Sequence, residues 1–273
     1  MALDSSNFSV ALVVATRSRF HEIAVRLPYW TSAGFDEVII VDGSYDPQER
    51  KRIEEVCGQS GATYVAAPRT IRDIRSHQRN LGAKTAASDW IFIQDDDDDV
   101  PLSIDKVALA QAAQGKDWLV GDVGEHLLWH RRESFLAFGG YPEDMVAAED
   151  GIMSNRARRC GRGGTEAGWY SGLKEFPPSP ADPMSRMRNA FWYGYTVLLL
   201  VFRHPFRRDV VLGDIRRQWY QLRRLRGEPW RLMSVSIGLF ARALSPIHCL
   251  RVVLTSGRFA LRQEPFAGWQ GLR

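Results

Sequence analysis

The sequence predicts an α/β fold, a mostly parallel sheet flanked by helices, followed by a helical C-terminal region. Three observations carry that reading. Short apolar, β-branched runs alternate with helix-length segments four times in about a hundred residues, the pattern of parallel strands joined by crossover helices. Three of these runs end in polar groups, at Thr16, at Asp42 and at Asp95–Asp99, and ligands of parallel sheets sit outside the carboxyl ends of the strands. Beyond Pro183 strand signals fade and arginine-bearing helical patterns take over.

In chain order, Ser9–Ala15 reads as a buried first strand, with Thr16-Arg17-Ser18-Arg19 as the polar loop at its end. A helix is expected over Phe20–Ser32, kinked or interrupted at Pro28. Glu37–Val41 forms the second strand and stops at Asp42-Gly43-Ser44. Pro47 then opens a helix to Cys57 from a natural first-turn position. Thr63–Ala67 is a weaker third strand, Ser76–Ala87 a helix, and Trp90–Gln94 the fourth strand, with a further helix expected to begin near Pro101. Gly161-Arg162-Gly163-Gly164 follows no predicted strand and reads as a helix-ending loop rather than a phosphate cradle. No G-x-G-x-x-G follows the first strand and no G-x-x-x-x-G-K-[ST] occurs, which disfavours dinucleotide folds and P-loops.

The bulk composition is that of an ordinary globular chain, 273 residues with 45% apolar and 25% charged. Its charge is unevenly spread. From Met184 to the end there are sixteen Arg, no Lys and four acids, a net of +12, so the overall +4 leaves −8 for the first 183 residues. An acidic front and a basic rear point to two regions, 1–182 and 183–273, the second facing something anionic. Three scattered cysteines, 57, 160 and 249, fit a reducing compartment better than a disulfide framework. Met1–Ser9 lacks the pattern of a signal peptide, and the longest apolar run, Phe191–Phe202, is short of the ~20 residues a single span needs.

Five consecutive carboxylates repel one another, since like charges within ~4–6 Å disfavour ionisation. A cation must share the site, and a Mg²⁺ or Mn²⁺ ion held by one or two carboxylates and by substrate phosphates is the usual solution. Four segments in order then resemble the motifs of family 2 glycosyltransferases with the GT-A fold. Val38–Ser44 is similar to their VIIVDDGS strand end, and Gln78-Arg79-Asn80-Leu81-Gly82 to their ARNxG helix start. Trp90–Asp98 resembles their strand and metal motif. Gly139-Gly140-Tyr141-Pro142-Glu143, then Glu149-Asp150 and Arg156, resembles their acceptor-side segment. The chain departs from the pattern in lacking a second Asp after Asp42 and in carrying Gln94 before the cluster.

The resemblance implies a nucleotide-diphosphate sugar as donor, with Thr16, Arg17, Asp42, Arg79, Asp95 and Asp96 around the nucleotide and Asp97 as ligand of the divalent ion. It implies Asp150 as the base that deprotonates an acceptor hydroxyl, and hence inversion at the transferred hexose. Glu149 and Trp129 would border the acceptor, a glycan or a lipid-linked sugar. Each residue also has a plainer reading: Asp42 as a turn residue, Asp150 as a helix cap, Arg79 as a surface arginine. His126 and His130, four apart, read as structural histidines, of which His130 borders the acceptor site at most. Helices such as Asp209–Arg226, with arginine on the polar face and Trp219 among the apolar positions, match the pattern of helices lying in a membrane interface. A cytoplasmic enzyme, peripheral on an anionic inner membrane surface and without nucleic-acid partners, is the expectation. The competing readings are a sugar-nucleotide nucleotidylyltransferase, whose G-x-G-T-R loop is absent, and a non-catalytic membrane scaffold derived from a transferase.

Overall fold

Strand β1 (Val10–Thr16) is buried along its whole length, as an uncharged run covered on both sheet faces must be. In a computed structural model, which describes residues 8–68, 75–120, 128–141, 143, 153, 157, 161–165 and 172–176, it lies in the interior of the sheet, between strands Glu37–Asp42 and Trp90–Asp95. All of these residues belong to one compact unit, residues 1–144 with 149–178. The expected region 183–273 lies outside the described residues.

After β1 the order is α1 (Phe20–Ser32), β2 (Glu37–Asp42), α2 (Pro47–Ser60), β3 (Thr63–Ala66), α3 (Arg75–Thr85), β4 (Trp90–Asp95) and β5 (Val100–Pro101). Then come α4 (Lys106–Ala112), β6 (Trp118–Val120), β7 (Leu128–Arg131), α5 (Arg132–Ala137), β8 (Gly163–Thr165) and β9 (Leu173–Lys174). Among the described residues seven strands make the main sheet, in the order β3-β2-β1-β4-β7-β6-β8. The first four run parallel; β7 is antiparallel to its neighbours β4 and β6, and β8 is parallel to β6. The chain therefore steps outward from β1 to β3 and returns through α3 to place β4 on the other side of β1. That reversal puts a topological switch point, the usual ligand crevice of an open α/β sheet, between the carboxyl ends of β1 and β4.

Strand periodicity sorts the core into two faces. Val10, Leu12, Val14 and Phe92 pack with Ile23, Leu27 and Trp30 of α1, Ile53 and Cys57 of α2 and Leu109 of α4. Ala11, Val13, Ile91 and Ile93 pack on the opposite side with Ala83 of α3, Phe135 of α5, and Met153 and Ala157. Each fully buried large side chain contributes on the order of 1.5–3 kcal/mol.

Local chemistry sets the helix limits. Asp46 accepts the Gln48 N–H at 3.0 Å with Pro47 in the first turn, and α2 runs to Ser60 because Gly61 (φ 73°) takes the left-handed conformation that ends it. α1 continues unbroken through Pro28, contrary to an interruption there. Pro28 is exposed, on the side of the helix where a carbonyl left without its N–H can be hydrated. No helix begins near Pro101: Val100–Pro101 pairs antiparallel with β9, and α4 starts where Asp105 caps the Ala108 N–H. The glycines after residue 160 are likewise not simply a loop. Gly163-Gly164-Thr165 is the edge strand β8, and a Cβ at Gly163 would fall 2.1 Å from the Trp118 ring.

Candidate functional site

The register brings three polar strand ends side by side. Thr16 is opposite Asp42, and Ala15 is opposite Asp95. At the switch point Thr16 Oγ1 donates to Asp96 Oδ2 at 2.7 Å, tying the end of β1 to the turn after β4. The chain leaves β1 through Ser18, a non-glycine residue at φ 54°, whose N–H donates to Ser44 Oγ at 2.8 Å. That left-handed residue costs roughly 1–2 kcal/mol, and it leads directly to Arg19 at the start of α1.

Among the described residues the carboxylate cluster is neutralised by guanidinium groups. Arg19 Nη1 lies 3.0 Å from Asp96 Oδ1 and 2.8 Å from Asp97 Oδ2. Arg75 Nη1 is 2.7 Å from Asp95 Oδ2, and Arg79 Nη2 is 2.6 Å from Asp95 Oδ1. Burial alone would raise the Asp95 carboxyl, but Arg79 and Arg75 outweigh it and hold it below the usual range. Asp96 resolves the other way: burial, only partly offset by Arg19 and Thr16, pushes it up to about 6. Two neighbouring carboxylates in one turn are thus driven apart by their surroundings. The cationic partner that the cluster requires is protein, at least in part. Asp98 has a different role, since its Oδ2 accepts the Asp95 N–H at 3.0 Å and braces the turn. Asp99 accepts the Phe176 N–H at 3.4 Å.

Asp42 is fully buried. Its Oδ1 accepts the Ser44 N–H at 2.7 Å and the Ser44 hydroxyl at 2.5 Å, and its Oδ2 accepts the Tyr64 hydroxyl at 3.1 Å. Burial and then the Asp42 charge raise the Tyr64 phenol above its ordinary range. Burial, with Asp42 adding to it, pushes the Cys57 thiol beneath the site up to about 12. Asp42 thus fills the turn role of Asp-Gly-Ser, buried at the carboxyl end of β2. Arg17 is half-buried, its guanidinium 5.8 Å from the Tyr45 ring centre.

The α3 segment is mostly architecture. Gln78 Nε2 donates to Thr16 O at 2.7 Å and to Val41 O at 3.0 Å, stapling the ends of β1 and β2. Arg79 is buried, not a surface arginine, and lies 4.9 Å from the Tyr141 ring centre as well as on Asp95. Asn80 Nδ2 donates to Tyr141 O and Glu143 Oε1, both at 2.9 Å, while its Oδ1 accepts the Tyr141 N–H at 2.8 Å. Gly140, at φ 61°, leaves room for that contact: a Cβ there would meet Asn80 Oδ1 at 2.5 Å. The two resemblance segments on α3 and at Gly139–Glu143 are therefore joined by side chain to backbone. Gly82 admits the helix onto the sheet, since a Cβ would fall 2.2 Å from Val13 Cγ1.

Trp129, expected to border the acceptor, is a core residue. It is wholly buried in the core, stacked on Phe92 at 4.4 Å between ring centres, because its position in β7 directs it to the α1 face of the sheet. His130 points the other way, fully buried 5.2 Å from the Phe135 ring centre. Glu149 and Asp150 lie outside the described residues, as does His126. Sequence reasoning passed over Arg19, Arg75, Gln78, Ser44 and Tyr64. The signal for the arginines was available: five carboxylates need counter-charge, and Arg19 and Arg75 flank the same rim.

The donor set can be tested against Mg²⁺ or Mn²⁺, which take hard oxygen ligands and complete their shells with substrate oxygens. Asp97 fits as a carboxylate ligand, with 38% of its side chain exposed at the mouth of the switch point. Among the described residues no group of three or more His, Cys, Asp or Glu is arranged to hold a metal. An ion at Asp97 would complete its shell with other oxygen ligands, water or substrate among them.

No protein-family model matches the chain, and no curated protein sequence matches it. Solved structures do resemble it. A mannosyltransferase from Pyrobaculum calidifontis, in complex with GDP-Man and Mn²⁺, is similar over 97% of this chain and 84% of its own, at 17% identity and a TM-score of 0.55. S. aureus TarS in complex with UDP is similar over 70% of this chain and 66% of its own, at 17% identity and a TM-score of 0.47. At such identities the likeness to the mannosyltransferase shows a shared fold, a mostly parallel sheet flanked by helices.

Proposed function

We propose that the chain is a divalent-metal-dependent, inverting glycosyltransferase of the family 2 type, transferring a hexose from a nucleotide-diphosphate donor to a hydroxyl of a glycan or lipid-linked acceptor. The observation that carries this reading is the meeting of Thr16, Asp42 and Asp95–Asp97 at the switch point of the sheet. The fold shared with a mannosyltransferase that binds GDP-Man and Mn²⁺ supports it. In this reading the nucleotide enters between the ends of β1 and β4. Asp42, Thr16 and Arg17 floor the base and ribose side, and Arg79 and Asp95 fix the wall from α3. Asp97, with Asp96 beside it, would hold the ion. When bound, that ion offsets the charge that builds on a departing diphosphate.

The transfer itself needs a base on the acceptor side. Asp150 takes the proton of the acceptor hydroxyl as its oxygen forms a bond to the anomeric carbon. The bond from that carbon to the diphosphate oxygen breaks on the opposite face, so a single displacement inverts the configuration. The base must come within ~2.6–3.2 Å of the hydroxyl. Asn80 supports that side from within the described residues, because it pins Tyr141 and Glu143 just upstream of Asp150 in the chain. The arginine-rich region 183–273 serves, in this proposal, to hold the enzyme on an anionic membrane surface. No helix among the described residues is long and apolar enough to cross a membrane.

Thermal-shift screening against a panel of nucleotide sugars with Mn²⁺ tests the donor assignment. At least one should stabilise the protein, in a manner abolished by chelation and by Asp97→Ala. Equal stabilisation of wild type and Asp97→Ala would remove Asp97 from the metal site.

A further inference from the structure

Arg19 occupies the ground that a divalent ion needs. One nitrogen, Nη1, lies within 3.0 Å of Asp96 Oδ1 and 2.8 Å of Asp97 Oδ2, while the second Asp96 oxygen is engaged by Thr16. Arg75 and Arg79 sit on Asp95 instead. Two cations cannot share the same carboxylate oxygens without strong repulsion, so an ion taking Asp96 Oδ1 or Asp97 Oδ2 displaces this guanidinium. The start of the arginine's path is set by the backbone, through Ser18 at φ 54° and its N–H bond to Ser44 Oγ. Its end faces solvent in part, with 31% of the side chain exposed. A guanidinium expelled from two carboxylates requires another anion, and a diphosphate suits its planar fork.

We propose that Arg19 is a built-in competitor of the divalent ion, released when a nucleoside diphosphate offers it a new partner, so that metal and nucleotide bind cooperatively. The inference rests on the donor reading above and adds a regulatory element to it: the ion alone binds weakly, and the ion with nucleotide binds well. Linkage makes the effect reciprocal, so Mn²⁺ tightens nucleotide by the same factor as nucleotide tightens Mn²⁺.

The experiment is titration of the full chain with Mn²⁺, followed by calorimetry or by the Mn²⁺ spin-resonance signal, alone and with saturating UDP or GDP. Wild type should show a coupling on the order of 10-fold or more. Arg19→Gln should bind Mn²⁺ alone roughly 10-fold tighter and lose most of the coupling. Arg19→Lys keeps the charge and should stay near wild type, which preserves the comparison if the glutamine variant folds poorly. Unchanged or weaker Mn²⁺ binding by Arg19→Gln, with wild type still binding Mn²⁺ and nucleotide together, overturns the competition. Equal tightening in the lysine variant overturns it too. A wild type that binds neither nucleotide with Mn²⁺ overturns the donor reading and this inference with it.

Discussion

The packing of α3 on the sheet turns on Gly82, and Gly82→Ala is a sharp test of it. The added Cβ would stand 2.2 Å from Val13 Cγ1 and 3.0 Å from Val41 Cγ2. Carbon atoms settle at about 3.5–4.0 Å, so helix and strand must separate by more than ~1 Å. Overpacking of this kind costs ~1–3 kcal/mol, against which alanine's better helix propensity returns up to about 1 kcal/mol. We expect a net loss of ~1–2 kcal/mol, read as a lower urea midpoint and a melting temperature reduced by several degrees. The cost should extend to the site, because the same helix carries Gln78, Arg79 and Asn80, and donor affinity should fall with stability. Val13→Ala removes the opposing methyl groups and creates a cavity on its own. Combined with Gly82→Ala it should cost less than the two single losses together, by ~1 kcal/mol or more in a double-mutant cycle. A Gly82→Ala protein of wild-type stability, or strict additivity in the cycle, would refute the packing argument.

Three further outcomes are expected. His130 is a buried neutral imidazole that burial holds down to about 3 instead of 6.5. The unfolded chain therefore binds the extra proton between those values. Stability is full above pH 6.5, falls as pH drops through it, and is lower by roughly 2 kcal/mol at pH 5; His130→Leu should flatten that acid limb in urea titrations, and an unchanged slope would clear His130 of the role. Asp150→Asn should keep nucleotide and Mn²⁺ binding yet lose transfer by at least ~10²-fold, as measured by nucleotide release with acceptor present; a variant that still transfers would displace Asp150 as base. The full chain should float with anionic vesicles, and a chain ending at Pro183 should not. Equal behaviour of the two would end the membrane proposal.

The sheet was legible in the sequence because its strands are apolar runs bounded by polar residues. Val10–Thr16, Glu37–Asp42 and Trp90–Asp95 each extend one residue beyond the run expected, taking in the polar residue at the end, since the ladder continues to the rim. What was not legible depends on partners distant in sequence. Trp129 was expected to border the acceptor, but the pairing of β7 with β4 places it over Phe92 in the core. Two-residue β5 exists only through β9, more than seventy residues on, and no local pattern announces it. The carboxylate cluster was plain, but its counter-charge was assigned wholly to metal because composition cannot say that Arg19, Arg75 and Arg79 converge on it.

The carboxamide of Gln78 has a consequence for how such a site can change. Thr16 O receives both this side chain and the Gly43 N–H, and Val41 O receives the side chain as well. Gly43 must be bare for the amide to approach, since a Cβ would stand 2.8 Å from Nε2. The two strand ends beneath the ligand crevice are thus welded into one rigid floor. In the proposed nucleotide site, preference for one base over another cannot evolve by letting those ends drift apart. It must be written in the loops and side chains that rise around the floor, which leaves the platform common to many ligands and their discrimination to its walls.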